Sequence, residues 1–171
     1  MVDRVLIDTL NLKARNFAAE WVVKIRKAPQ LKHYGALSDD ALIEINAPLY
    51  PHLARTLDRG LDRSVVGDFF VTMGRKRIEG RFPVSETIYG LNLAEQVVND
   101  YLMNDFAPDN AVRMYQAMGA ASRAAEFFLL GCFYITKGSL EAVYTLMNKD
   151  NAVSEEVLKK YFRDDFFFKN G

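Results

Sequence analysis

The segment MYQAMGAASRAAEFFLLGCFYI, from Met114 to Ile135, is the longest amphipathic stretch of the chain. Its small and apolar residues recur at alternating steps of four and three, which is the spacing of a heptad repeat. This seam consists of Met114, Met118, Ala121, Ala125, Phe128, Cys132 and Ile135. The spacing predicts a long helix, which we expect Gly138 and Ser139 to interrupt before a shorter helix follows.

Helical spacing also marks the segments on the N-terminal side of this seam. The first apolar face, with steps of three or four residues, consists of Leu6, Leu10, Ala14, Phe17, Trp21 and Ile25. Pro29 ends that helix, and Ser38 is the expected N-cap of the next one. Pro48 should kink or break the second helix near Asn46, and Gly60 should end it.

Further helix signals lie between these segments and the seam, and beyond it. A third helix is predicted from about Ser64 to Glu79, with Gly80 as a C-cap of positive φ. A fourth helix begins near Val84, whereas Pro108 and Asp109 open the long helix. Ser154 is expected to cap a last helix.

No segment alternates with period two for long enough to indicate a sheet, so the chain is predicted to be all-α. A length of 171 residues suits one domain, which we place over residues 1–171. The expected architecture is a single bundle of about six or seven helices. The sequence ends at Gly171 without room for a further domain, so we expect either a freestanding protein or a piece of a larger one.

Composition argues against several classes of partner. Lysine plus arginine and aspartate plus glutamate each count 22, so no global field would draw the chain to nucleic acid. The longest apolar run, from Phe127 to Ile135, is about half the length needed to cross a bilayer. The single Cys132 and the absence of a signal-peptide pattern favour the cytoplasm. We therefore expect a cytoplasmic protein with no membrane span and no nucleic-acid partner.

Catalytic and metal-binding motifs are missing from the sequence. His33 and His52 fall into no zinc-ligand spacing, and no nucleophile elbow, P-loop or dinucleotide fingerprint occurs. Cys132 lies on the apolar seam, where burial raises the pKa of a thiol and makes it unreactive. We therefore expect a non-enzymatic protein that binds neither metal nor cofactor.

A cluster of cations lies in TMGRKRIEGRFPVSE, Thr72 to Glu86. Its members are Arg75, Lys76, Arg77 and Arg81. The main interpretation is the end of a helix, where cations interact favourably with exposed carbonyl groups. The alternative is a contact with an anion or an acidic partner. A nucleic-acid surface is disfavoured, because it would need more cations with aromatic residues between them.

The longer segment DFFVTMGRKRIEGRFPVSETIYGLNLAEQVV, Asp68 to Val98, resembles the N-terminal domain of the RsbT co-antagonist proteins, the RsbR-type sensory modules of bacterial stress signalling. In that family an aromatic helix leads into a G-x-x-R segment, then into a glycine followed by P-[LV]-S-E, and then into another amphipathic helix. The matching positions here are Gly74, Arg77, Gly80, Pro83, Ser85 and Glu86. The resemblance implies a globin-like, haem-free, non-enzymatic input domain that dimerises and normally feeds an output module.

We therefore expect a homodimer that also contacts a signalling protein. The expected interface consists of Met114, Met118, Ala121, Ala125, Phe128, Phe162 and Phe166. Small residues on the seam would let a second helix approach, and the terminal aromatic cluster suggests an interaction surface. Burial of both features within the monomer is the simpler alternative. The alternative function is a small-molecule or lipid carrier whose apolar pocket would be lined by Phe69, Phe70, Phe127, Phe128 and Tyr134.

Overall fold

The computed structural model describes residues 4–107, 110–150 and 153–161. Its elements are α1 (Arg4–Leu12), α2 (Ala14–Arg26), α3 (Lys32–Gly35), α4 (Asp39–Asn46), α5 (Leu49–Arg59), α6 (Arg63–Glu79), α7 (Val84–Tyr101), a π-helical turn (Leu102–Phe106), α8 (Ala111–Lys149) and α9 (Glu155–Tyr161). Over these ranges the regular structure is helical without any strand, which confirms the predicted all-α class. None of the described helices is both long and apolar enough to span a bilayer.

The chain is divided into more helical segments than the predicted six or seven. The first predicted helix is interrupted at Lys13, which separates α1 from α2. The second is divided between Asn46 and Leu49, as the prolines predicted. Ser38 caps α4 as expected, because its Oγ accepts a hydrogen bond from the backbone N–H of Ala41 at 3.2 Å.

The two long helices α6 and α8 pack along each other through glycine. A Cβ atom on Gly74 would lie 2.3 Å from the carbonyl oxygen of Ile135, so the two backbones are nearly in contact. The Oγ of Ser139 donates to the carbonyl of Gly74 at 3.4 Å. The predicted interruption at Gly138 and Ser139 is wrong, because α8 continues through both residues. The small side chains of Gly138 and Ser139 allow α6 and α8 to approach closely, and they do not end α8.

The N-terminus of α8 is capped by Asn110. Its Oδ1 accepts from the backbone N–H groups of Val112 at 2.8 Å and Arg113 at 3.3 Å. Both donors belong to the first turn, where backbone N–H groups have no partner within the helix. Pro108 and Asp109, which were predicted to open this helix, lie outside the described residues.

The end of α6 corrects the predicted glycine cap. Gly80 has φ −77, whereas Arg81 has φ 63 and occupies the left-handed region. The N–H of Arg81 donates to the carbonyl of Ile78 at 2.9 Å, and the N–H of Phe82 donates to the carbonyl of Arg77 at 2.8 Å. This pair of bonds is a Schellman motif, in which the left-handed residue follows the C-cap. The positive φ therefore lies one residue later than the sequence predicted.

Candidate functional site

The family-like motif lies at the corner between α6 and α7, where it contacts α3. The carboxylate of Glu86, which is buried in the first turn of α7, accepts from the backbone N–H of His33 at 2.9 Å. Its other oxygen lies 2.8 Å from Nδ1 of the same histidine. Glu86 therefore pairs with both the backbone N–H and the imidazole ring of His33 on α3. These partners offset the free-energy cost of burying its carboxylate.

Arg77 contacts the same short helix from α6. Its Nε donates to the hydroxyl of Tyr34 at 3.1 Å. The guanidinium carbon lies 6.0 Å from the ring centroid of Tyr34 and 5.8 Å from that of Phe82, which is cation–π distance. Tyr34 in turn meets Trp21 edge to face at 5.7 Å. Arg77 and Glu86 thus hold α3 between them.

The other motif positions have local roles. Gly74 permits the contact between α6 and α8 described above, and Gly80 is the C-cap of α6. Pro83 takes the N-cap position of α7, where its missing N–H costs nothing. Ser85 is exposed, and nothing in the structure explains its place in the motif.

The four cations of the predicted cluster point to different surroundings. Arg75 forms an ion pair with Glu141 of α8, with Nε 3.0 Å from Oε2. Arg81 occupies the left-handed position after α6. Lys76 and Arg77 line one groove together. The structure therefore does not bring the four cations into a single anion site, but it does bring these two together.

This groove lies between α4–α5 on one side and α6 on the other, and we call it the α6 groove. Its volume is about 560 Å³, which is the size of a small-molecule site. The lining residues are Glu44, Ile45, Pro48, His52, Val65, Asp68, Phe69, Thr72, Met73, Lys76 and Arg77. The rings of His52 and Phe69 stack with centroids 3.9 Å apart. Burial and the nearby Arg55 lower the pKa of His52, so its neutral form is favoured.

A small inner cavity of about 20 Å³ shares Ile45, Met73 and Arg77 with the α6 groove. Asn46 also lines this cavity and is 7% exposed. Its Oδ1 has no hydrogen-bond partner among the described residues. The cavity is large enough for about one water molecule, which would satisfy this oxygen.

A second candidate surface is the outer face of α8, which we call the α8 stripe. It consists of Tyr115, Met118, Ser122, Ala125, Leu129 and Phe133, spaced by three or four residues. All six are exposed, with Tyr115 at 80% and Leu129 at 71%. The buried face of the same helix carries Ala117, Ala120 and Ala124 and lies on its opposite side. Because Phe127 and Phe128 are also buried, α8 is apolar both toward the core and on its outer face.

The predicted seam of α8 crosses from one of these faces toward the other. Met114, Met118 and Ala125 are exposed, and Ala121 is half-buried. Phe128 is fully buried in the core, so its assignment to an interface surface is wrong. A strict heptad drifts by about 20° per repeat on a straight α-helix, which explains the crossing. Phe162 and Phe166 lie outside the described residues.

The interface predicted from the sequence does not include Tyr115, Leu129 and Phe133 of the α8 stripe. A heptad beginning one residue later, at Tyr115, would have found Met118, Ala125 and Leu129 on one face. Among the described residues, the aromatic side chains predicted to line an apolar pocket do not all border one groove. Phe70, Phe127 and Phe128 have no exposed surface and pack in the core, while Phe69 alone of the predicted aromatic set lines the α6 groove. Tyr134 is half-buried on α8.

Cys132 is half-buried near the polar side chains of Asn92 and Glu95, so its surroundings are less apolar than the sequence predicted. Burial raises the pKa of its thiol, and the nearby carboxylate of Glu95 raises it further. The Sγ atom lies 3.6 Å from Oδ1 of Asn92, an acceptor for the protonated thiol. Across the described ranges no group of three or more histidine, cysteine, aspartate and glutamate side chains is arranged to hold a metal ion.

Comparison with known proteins found no matching family model, no matching curated protein and no matching solved structure. The resemblance of Asp68–Val98 to RsbR-type domains therefore stays a prediction from the sequence.

Proposed function

We propose that this chain is a sensory or signalling domain of the RsbR type, globin-like and cytoplasmic, which acts by binding other proteins and catalyses no reaction. Its first partner is a second copy of the same chain, with which it forms a homodimer. Its second partner is a signalling protein. The α8 stripe is the single observation that carries the proposal. The resemblance of Asp68–Val98 to RsbR-type modules supports the assignment to stress signalling.

The α8 stripe has the properties of a helix-pairing surface. Exposed apolar side chains that are contiguous mark interaction sites more often than scattered ones do. Ser122 and Ala125 lie in the middle of the stripe, where small side chains let a second helix approach. Two copies of α8 can pair about a two-fold axis through this point, so that each Met118 faces the Leu129 of the other copy and each Tyr115 lies near the other Phe133.

Light scattering after size exclusion tests the pairing. We expect a mass near twice 19.5 kDa at micromolar concentrations, because the stripe buries apolar area in a dimer. Leu129→Asp and Ala125→Arg should each lower the mass toward that of one chain without loss of helicity by circular dichroism. Leu12→Asp is the matched control, since Leu12 is 85% exposed on α1, outside the stripe.

Two results would contradict this proposal. A wild-type mass near 19.5 kDa at every concentration would remove the dimer. A dimer that survives both stripe variants would place the interface elsewhere, and the α8 stripe would then no longer support the function.

A further inference from the structure

We propose that the α6 groove binds a small amphiphilic organic anion, with the anionic group at Lys76 and Arg77 and the apolar body along Phe69 and His52. This site goes beyond the protein–protein function proposed above and does not depend on it. The bound chemistry is a carboxylate or phosphate group attached to an apolar chain or ring.

The apolar half of the groove is built from stacked and packed side chains. Phe69 of α6 and His52 of α5 stack across the groove, and Met73 of α6 contributes a flexible thioether. Ile45 and Pro48 lie on the same side as His52, on α4 and in the turn before α5. Small-molecule sites have this composition, with apolar walls and few polar groups that fix orientation.

Positive charge is concentrated at one end of the groove. Lys76 has no ion-pair partner within the described part of the chain, and Arg77 lies on the next position of α6. Of the two carboxylates in the lining, Glu44 is already paired with Arg15 of α2. Asp68 precedes Lys76 by about 12 Å along the helix, given a rise of about 1.5 Å per residue. An anion at Lys76 and Arg77 therefore meets net positive charge.

Arg77 connects this end of the groove with the corner that holds α3. The same guanidinium donates to the Tyr34 hydroxyl and borders the inner cavity with Asn46. An anion bound at Arg77 competes with the Tyr34 hydroxyl for the N–H donors of the guanidinium. The anion is the stronger acceptor, because hydrogen bonds between two charged groups are stronger than those to a neutral group. Trp21 packs against Tyr34, so its fluorescence should report occupancy of the groove.

Isothermal titration with four probes tests the site: decanoate, decyl phosphate, decanol and inorganic phosphate, all below micelle-forming concentrations. We expect saturable binding of decanoate or decyl phosphate, with the tighter of the two identifying the head group. Binding should shift the Trp21 emission and be about tenfold weaker in Lys76→Gln, which corresponds to the loss of one charged contact. Decanol should bind weakly and equally to wild type and to Lys76→Gln.

Lys27→Gln is the matched control, because Lys27 lines a separate groove between α1–α2 and α7. It should bind both anions as the wild type does, and Phe69→Ala should weaken every probe that carries a chain. No saturable binding of either amphiphile would overturn the proposal, as would loss of binding in Lys27→Gln but not in Lys76→Gln. Inorganic phosphate binding as tightly as decyl phosphate would also overturn it. A change of oligomeric mass in Phe69→Ala would show that the groove is a protein interface instead.

Discussion

The backbone of α8 at Gly138 lies against the carbonyl group of Val71 on α6, and a Cβ atom on Gly138 would fall 2.2 Å from the Val71 oxygen. Real Cβ atoms do not approach a backbone oxygen so closely, and a backbone cannot move aside as a flexible side chain can. Gly74 meets Ile135 in the same way one turn further along the pair. The separation of α6 and α8 is therefore set by the absence of side chains at two points.

The first prediction follows from this contact. Gly138→Ala should lower the free energy of unfolding by about 1–3 kcal/mol, because the methyl group forces the two helices apart. Gly119→Ala is the control on the same helix, since no atom lies within 4 Å of its Cβ position. It should raise stability by about 0.5–1 kcal/mol through helix propensity alone. Urea unfolding of both variants measures the difference, and equal effects would contradict the close approach.

Local sequence signals located the ends of several helices correctly. Ser38 caps α4, Gly60 with φ 88 ends α5, and α6 runs to Glu79 as its periodicity predicted. These features depend on residues within one or two turns of each other, so a single stretch of sequence contains the necessary information.

Long-range relationships were not available to such reasoning. Glu86 meets His33 across 53 residues, and Arg77 meets Tyr34 across 43, so neither partner is indicated by spacing. The continuity of α8 through Gly138 also depends on its distant neighbour Val71. Because α8 is apolar on both sides, periodicity could not tell which face is buried.

The second prediction separates Arg75 from Lys76. The side chain of Glu141 is 5% exposed, so removing its Arg75 partner weakens the contacts of a buried carboxylate. Arg75→Gln should cost about 1–3 kcal/mol, whereas Lys76→Gln should change stability by less than about 0.5 kcal/mol. Thermal melts compare the two directly. A helix-end role for both cations predicts similar small losses, and that result would exclude a structural role for the Arg75–Glu141 pair.

The third prediction concerns the left-handed residue after α6. Arg81→Gly should be more stable than Arg81→Ala by about 0.5–1 kcal/mol, because glycine adopts φ 63 without the Cβ clash. Both variants remove the same charge, so their difference isolates the backbone conformation. Denaturant unfolding provides the measurement. If alanine proves as stable as glycine here, Arg81 does not occupy the left-handed region in solution.

The last prediction concerns the reactivity of Cys132. Only the thiolate is alkylated, and both burial and the negative charge of Glu95 disfavour it, so the pKa of the thiol is raised. The rate of alkylation by iodoacetamide should therefore reach its midpoint at a higher pH than for free cysteine, whose pKa is about 8.5. Glu95→Gln removes the negative charge and should move this midpoint down, although burial, the larger cause, keeps it above the free value. Glu126→Gln is the control. It removes an exposed carboxylate on α8 and should leave the pH midpoint of alkylation unchanged.

Cys132 is the single cysteine of the chain, so the mass of the intact protein reports its modification without interference. A midpoint at or below that of free cysteine would contradict the partial burial of the thiol, and a midpoint unaffected by Glu95→Gln would show that the Glu95 carboxylate does not act on it.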